Sequence, residues 1–296
     1  MYNRMKVAIY GRYFPEEFLS CLKLLFLRLN QRGVKVTVYR KFFEYLNQKY
    51  GYSPHLFSLF DTSDQLDIDT ACMFSLGGDG TFLEAVALVR DSGIPIAGIN
   101  AGRLGFLTSI SCENIDEVLD AFFSESIPVE NRTLIKAEGL PWPLSDFPYA
   151  LNEFSIQKHG SAMVSINVFH EQTFINTYWS DGLLVATPTG STAYSLSVGG
   201  PILTPDSTNF VISPIAPHNL TVRPLVVPDS YSLKLEPISR DENVVCALDN
   251  RSVEVPSGTQ ILISKAPFTV KLLRIGEIDY FYRLRNKLMW GVDKRS

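Results

Sequence analysis

The sequence predicts an α/β protein in two parts, an N-terminal parallel-sheet domain followed by a β-rich, sandwich-like domain. Apolar strands alternate with helix-patterned segments through residues 1–127, whereas short alternating segments separated by turn residues fill 128–276. A glycine-rich turn carrying one acid stands where a strand of the first part gives way to a helix. Strand and helix in alternation argue for a parallel sheet covered on both faces. The tail, 277–296, is polar and aromatic and is expected to complete the first domain.

The elements follow from residue spacing. Lys6–Tyr10 reads as a strand. From Pro15 to Gln31 the apolar residues, Phe18 and Cys21 through Leu25 to Leu29, fall on one helical face, and Gly33 is placed to end the helix. Val34, Val36 and Val38 alternate as a strand, and a helical segment is expected near Lys41–Tyr50. The acidic stretch Asp61–Asp69 reads as a solvated loop face. Ala71–Leu76 is an apolar run of the buried-strand kind, Phe82–Val89 is patterned as a helix, Ile94–Ile99 as a strand and Ile115–Phe123 as a helix.

After Pro128 the pattern changes to short strands: Thr133–Ala137, Asn152–Lys158, Ser165–Phe169, Leu183–Thr187, Ser232–Glu236, Val244–Leu248, Ile261–Ser264 and Thr269–Leu273. Asp249-Asn250 and Pro256-Ser257-Gly258 supply turns between them. Gly139–Pro148 reads as a loop, and one short helix is expected to begin near Ser191.

Composition removes several classes of function. With 296 residues, 46% of them hydrophobic, the chain can build one large core or two ordinary ones. A net charge of −4 provides no basic footprint for nucleic acid. The opening Met-Tyr-Asn-Arg-Met-Lys lacks the zones of a signal peptide, and no apolar run approaches the roughly 20 residues of a membrane span. Together these point to the cytoplasm. Cys21, Cys72, Cys112 and Cys246 are scattered through apolar patterns, which suits reduced core thiols rather than disulfides or zinc. The histidines form no pair at ligand spacing, so no built-in metal site is expected.

The turn itself is Gly77-Gly78-Asp79-Gly80-Thr81, between the strand ending at Leu76 and the helix pattern from Phe82. Glycine lets the backbone approach a ligand closely, and a helix N-terminus adds positive potential, so the turn suits phosphate. An acid beside phosphate is unfavourable unless it has a task. It can take a proton from an attacking hydroxyl, or help to hold the Mg²⁺ that accompanies a nucleotide. The plainer reading is a tight turn, since Gly and Asp both tolerate unusual backbone angles. No Gly-Lys-Ser/Thr follows and the spacing is not Gly-x-Gly-x-x-Gly, so neither common nucleotide motif applies. The turn and Asn100–Gly105 both fall at carboxyl ends of expected strands, where ligands of such sheets bind.

Two further polar groups stand in the second part. The run from Asp181-Gly182 to Thr187-Pro188-Thr189-Gly190-Ser191-Thr192-Ala193-Tyr194-Ser195 leads an apolar strand into a turn of hydroxyls and glycine that opens a helix. Its amides and hydroxyls suit a ribose, an amide or an adenine edge, or simply a capped helix with Ser191 or Thr192 as N-cap. Asn152-Glu153 is a polar pair at a strand start, a place where such pairs often only face water. Because residues i and i+2 of a strand share a face, Trp179 is expected to border whatever space Asp181 lines. An indole face there would attract a cationic ring, or simply fill core or a subunit contact.

In this order and at these separations, the clusters resemble the NAD kinase family. The matching residues are Gly77–Thr81, Leu104-Gly105-Phe106, Leu151-Asn152-Glu153, Asp181-Gly182 and Thr187–Tyr194, with a further segment from Pro214 to Pro228 that includes Pro217-His218 and Arg223-Pro224-Leu225. The resemblance extends from about Lys6 to Trp290, and the Thr187–Tyr194 run is its most specific part. It implies ATP-dependent transfer of a phosphoryl group to the 2′-hydroxyl of the adenosine ribose of NAD, giving NADP, with a divalent cation such as Mg²⁺. It further implies Asp79 as proton acceptor, Gly77, Gly78 and Gly80 as the phosphate-facing turn, and Phe106 as an aromatic near the adenine. Asn152, Glu153, Asp181, Thr192, Ala193, Tyr194 and Ser197 would line the NAD pocket, with NAD between the two domains. The family is generally a homo-oligomer, a dimer or tetramer in which one subunit's second domain can complete a neighbour's site. Trp179 and Arg251 depart from common family residues and bear on substrate preference.

Two other readings share parts of this pattern. Lipid and sphingoid kinases carry the same glycine turn, but the Thr189–Tyr194 run and the lack of a basic amphipathic membrane face argue against them. A non-catalytic NAD sensor would gain nothing from retaining Asp79 amid phosphates.

Overall fold

Lys6 to Gly11 forms a first strand whose neighbours on both sides run parallel to it, and the rest of the first unit is built outwards from there. The structure is a computed structural model and describes residues 5–102, 105–124, 127–274 and 280–289. Leu104, residues 1–4 of the opening and residues 277–279 and 290–296 of the tail, named above, lie outside the described residues. The chain divides into two units, Met1–Asn131 with Val270–Ser296, and Arg132–Thr269.

In the first unit β1 (Lys6–Gly11), α1 (Leu19–Gln31), β2 (Lys35–Tyr39), α2 (Arg40–Tyr50), β3 (Ser58–Phe60), β4 (Thr70–Gly77), α3 (Asp79–Val89), β5 (Ile96–Asn100) and α4 (Ile115–Phe123) follow in order. The sheet order is β5-β4-β1-β2-β3, and every one of these pairs is parallel. Every residue of β5 is buried, as expected of a strand covered on both faces. Leu22, Leu25, Phe26 and Leu29 of α1, Phe42 and Leu46 of α2, and Val118 and Leu119 of α4 close over the sheet in one core. The stripe expected on α1 is therefore the buried stripe. Gly77 of β4 sits beside Asn100 of β5, so the two loops that follow open from adjacent strand ends.

One expectation for this unit is overturned. Cys21 and Cys112 are joined in a disulfide, with Cα atoms 5.5 Å apart, while Cys72 and Cys246 are the buried free thiols. The two residues are 91 positions apart in sequence, and packing of α1 near the start of α4 brings them together. Spacing along the chain holds no sign of such a pair.

The chain continues with β6 (Val129–Glu138), β7 (Tyr149–Ala150), β8 (Glu153–Lys158), β9 (Val164–His170), β10 (Thr173–Ser180), β11 (Gly182–Ala186), the single turn α5 (Tyr194–Ser197) and β12 (Asn209–Ile215). Next come β13 (Leu225–Pro228), β14 (Leu233–Ser239), β15 (Asn243–Leu248), β16 (Arg251–Pro256), β17 (Ile261–Leu273) and α6 (Tyr280–Leu288). In the second unit one six-stranded sheet has the order β13-β12-β11-β8-β15-β16, and β10, β9, β14 and β17 form a second antiparallel layer. Phe154, Ile156, Val185 and Ile212 from the first layer and Ile166, Val168, Leu233 and Ile263 from the second meet in one core. That is the sandwich arrangement.

β17 is one strand of 13 residues where the pattern suggested two. Lys265 and Pro267 interrupt the apolar alternation but not the extended backbone, since proline's fixed φ is compatible with it.

Candidate active site

α3 begins at Asp79, within the glycine turn, with Gly78 in extended conformation before it and no side chain capping it. The first amides of a helix have no intrahelical acceptors, so this end offers donors and positive potential. The three glycines differ in what the chain itself asks of them. Gly77 has φ +153°, and a Cβ there would stand 2.4 Å from the Thr81 hydroxyl, so internal packing requires glycine. At Gly78 and Gly80 a Cβ would meet nothing within 4 Å. Packing gives no reason for glycine at those two positions.

Asp79 points from the start of α3 into the turn that follows β5. Its Oδ1 accepts the Leu107 and Thr108 backbone N–H groups at 3.0 and 3.1 Å and the Thr108 hydroxyl at 3.1 Å. Its Oδ2 accepts the Phe106 N–H at 2.8 Å and the Lys287 ammonium at 3.3 Å. Burial by itself raises this carboxyl, but the Lys287 charge and the three amides outweigh it and hold it below the usual carboxylate range. Phe106 is half-buried, with the Lys287 ammonium 4.3 Å from its ring centroid. Thr108 and Lys287 had no signal in the sequence, because their role exists only once residues 105–108 and α6 fold against Asp79.

The second unit gathers most of the other predicted residues at one end of β11. Thr187 donates its N–H to the Asn152 carbonyl at 2.9 Å and its hydroxyl to the Leu151 carbonyl at 2.6 Å, and accepts the Gly190 N–H at 3.1 Å. The loop bearing Asn152 and Glu153 is thereby tied to the turn that leads to Thr192, Ala193 and Tyr194. Those three residues are partly exposed, and Ser197, at the end of α5, is exposed. Ser191 is not the cap that the helix reading suggested. Its hydroxyl donates to the Pro188 carbonyl at 2.7 Å and accepts the Leu203 N–H at 3.0 Å, and no side chain caps α5. Arg132, buried on β6 and not anticipated, donates to the Thr189 hydroxyl at 3.4 Å.

Beneath this cluster lies a second carboxylate that the sequence offered only as a turn residue. Asp249 Oδ2 accepts the Leu151 N–H at 2.9 Å, and Oδ1 accepts those of Asn152 at 2.7 Å and Glu153 at 3.3 Å. Burial pushes the Asp249 carboxyl up in spite of these amides. Burial, with the Asp249 charge next, drives the Glu153 carboxyl up to about 8, against one lowering contact from the Tyr194 amide. Glu153 Oε2 is buried and has no hydrogen-bond partner among the described residues. A neutral acid with an unused polar atom is thus held beside Asn152.

Asp181 is not part of this cluster. It precedes β11, at the Gln157 end of β8, whereas Glu153 pairs with Ala186 at the other end. Four residues of strand separate the two places, about 13 Å. Asp181 binds the Lys158 ammonium at 2.8 Å and lies 3.7 Å from His218. Trp179 lines a cavity of about 450 Å³ with Met163, Ile238 and Arg240, and Asp181 is not among the lining residues. Asp181 falls in the one-residue break between β10 and β11. Arg251, the other departure, donates to the carbonyls of Phe147, at 2.7 Å, and Tyr149, which makes it part of the scaffold.

A parallel-sheet unit whose uncapped helix carries an acid beside an open glycine turn, joined in one chain to this β-sandwich, defines a phosphotransferase. The chain belongs to the NAD kinase family: residues 12–127 match the ATP-NAD kinase N-terminal domain and residues 151–275 the ATP-NAD kinase C-terminal domain. It is similar to NAD kinases of Flavobacterium psychrophilum, 41% identical over 99% of this chain and 100% of that one, and Bacteroides fragilis, 39% identical over 98% and 100%. Its fold is similar to that of yeast NADH kinase complexed with NADH, with a TM-score of 0.85 and 22% identity over 98% of this chain and 88% of that one. It is also similar to an NAD kinase from Archaeoglobus fulgidus in complex with ATP, with a TM-score of 0.71 and 24% identity over 96% and 98%.

Proposed function

We propose that the chain transfers the γ-phosphoryl group of ATP to the 2′-hydroxyl of the adenosine ribose of NAD, with Asp79 taking the hydroxyl proton. In this step the ribose oxygen forms a bond to the γ-phosphorus, the bond from that phosphorus to the β–γ bridging oxygen breaks, and ADP leaves. Phosphoryl transfer needs positioning and charge neutralisation more than covalent help. The observation that carries the assignment is the open space at Gly78 and Gly80 beside an uncapped helix N-terminus. Glycine there makes sense if the backbone must meet phosphate. ATP enters as its Mg²⁺ complex, the cation offsetting phosphate charge. Such an ion would be held mostly by substrate oxygens and water.

Phe106 is assigned to the adenine of NAD, and Asn152, Glu153, Thr192, Ala193, Tyr194 and Ser197 to its pocket. The unpartnered Glu153 Oε2 supports this, because a buried polar atom without a partner is costly unless a ligand supplies one. Asp181, a strand's length from Glu153, is assigned to the pocket of a second copy in a homo-oligomer, a dimer or tetramer. A cytoplasmic location belongs to the same reading, and no described helix is long and apolar enough to cross a membrane. Incubation of the pure protein with ATP, Mg²⁺ and NAD, followed by separation of the nucleotides, tests the activity. NADP is the expected product. Its absence, or phosphorylation of a lipid or sphingoid base instead, would refute the proposal.

A further inference from the structure

Asp79 has no free acceptor site. A carboxylate offers about four lone-pair positions, and five donors meet this one. Four of them belong to residues 106–108, a turn that also bonds internally through the Gly105 N–H and the Thr108 carbonyl at 3.1 Å. A proton acceptor needs one oxygen position for the hydroxyl that it is to deprotonate, so one donor must leave. The longest contact is Lys287 Nζ, at 3.3 Å from Oδ2, on a flexible side chain that is about a third exposed. The helix behind it is fixed. Arg283, one turn earlier on α6, is buried and donates to the Phe106 carbonyl at 3.4 Å, and Leu284 is buried beside it.

We propose that Lys287 is a positioning residue for Asp79: it occupies the acceptor hydroxyl's place on Oδ2 in the resting enzyme and hands that place over when substrates bind. The proposal rests on the reading that Asp79 accepts the ribose proton. On departure the ammonium remains tethered to α6 beside the glycine turn, where the incoming triphosphate is the nearest new anion. One cation thus keeps the acid ionised before the reaction and then adds positive charge near the transferred group. Among the described residues, Lys287 is the charged side chain that faces Asp79. The turn at 105–108 presents only amides and the Thr108 hydroxyl, and Arg283 is directed to the Phe106 carbonyl. On α3 itself Glu84 is directed away, to Tyr10 and Arg12 at 2.6 Å each.

The test compares Lys287→Met and Lys287→Arg with wild type by kcat, KM for NAD and the pH profile of kcat/KM. The acid limb of that profile reports ionisation of the essential base in free enzyme. Removing the cation raises the Asp79 carboxyl towards its ordinary range, so the limb of Lys287→Met moves to higher pH. Its kcat falls roughly 10²-fold, the scale for losing one preorganised charge stabiliser, while KM for NAD changes by less than about threefold. Lys287→Arg keeps the limb in place and recovers most of the turnover. If the Met variant does not fold, Lys287→Gln carries the same readouts. An acid limb that stays in place without the cation, or a kcat within about threefold of wild type, overturns the proposal. If wild type makes no NADP, the underlying reading falls and this inference with it; if wild type makes NADP, the Lys287 variants decide the inference alone.

Discussion

Asp249 Oδ1 accepts the backbone N–H of Asn152 at 2.7 Å and that of Glu153 at 3.3 Å, and the other oxygen of the same carboxylate accepts the N–H of Leu151. The loop that begins β8 is therefore shaped by an acid 97 residues further along the chain. Asp249 has φ +53°, a conformation that Asp tolerates better than most residues. Burial, with the Asp249 charge next, also raises the Glu153 carboxyl, to about 8.

Stability should therefore fall as pH rises. An unfolded Glu153 titrates near 4.5 and the folded one near 8, so the folded state holds an additional proton between those values. The contribution is fully present below about pH 4.5 and is lost as pH rises through about 8. Glu153→Gln, a neutral isostere, should melt with wild type below about pH 4.5 and above it at pH 9. Equal melting of the two proteins at pH 9 would count against the raised carboxyl.

Asp249→Asn should cost more than a surface change. An amide keeps one acceptor oxygen and turns an NH₂ group towards backbone donors, which leaves buried N–H groups unpaired at about 1–3 kcal/mol each. Thermal melts should show a clear loss, and NAD affinity should fall with it. A variant with wild-type melting would mean that the 151–153 loop does not depend on this clamp.

Gly80→Ala separates packing from ligand approach. A Cβ meets nothing at this position, and alanine in a helix is worth about 0.5–1 kcal/mol over glycine. The variant should be at least as stable as wild type while its KM for ATP rises, and Gly80→Val should be worse. NAD affinity measured without donor should hold in both. Loss of NAD binding with intact ATP binding would assign the turn to the other ligand.

Gly105→Ala should damage catalysis through Asp79. A Cβ would stand 1.9 Å from Asp79 Oδ1 and 2.3 Å from the Thr108 hydroxyl, so the turn must move off the carboxylate. We expect kcat to fall at least tenfold, in line with misplacement of a catalytic group by about 1 Å, with NAD affinity little changed. Unaltered kcat would show that the five-donor arrangement around Asp79 is dispensable.

What could be read in advance was local. The α1 stripe, the Ala71–Leu76 run and the glycine turn depend on residues next to one another, and the two-part α/β and β-rich architecture followed from their periods. Strand β10 escaped notice because its exposed faces leave it without a clear apolar alternation. β12 escaped because it is buried almost throughout and contains Pro214. In the sites, Asp79 and Asn152 were visible as motif residues. Their supports were not, since Lys287 reaches Asp79 across 208 residues and the Cys21–Cys112 bond closes 91.

The central claim is that Asp79 accepts the proton of the hydroxyl that attacks ATP. Its most direct test is the steady-state rate of NADP formation by Asp79→Asn, with NAD affinity and melting temperature measured on the same preparation. The amide keeps the size and much of the hydrogen bonding but cannot take the proton, so kcat should fall about 10²–10⁴-fold. NAD affinity should stay near wild type, and because the amide turns an NH₂ group towards the donors that Asp79 accepts, melting should fall, so kcat is read at a temperature where the variant is folded. A folded Asp79→Asn enzyme with near wild-type kcat would contradict the account.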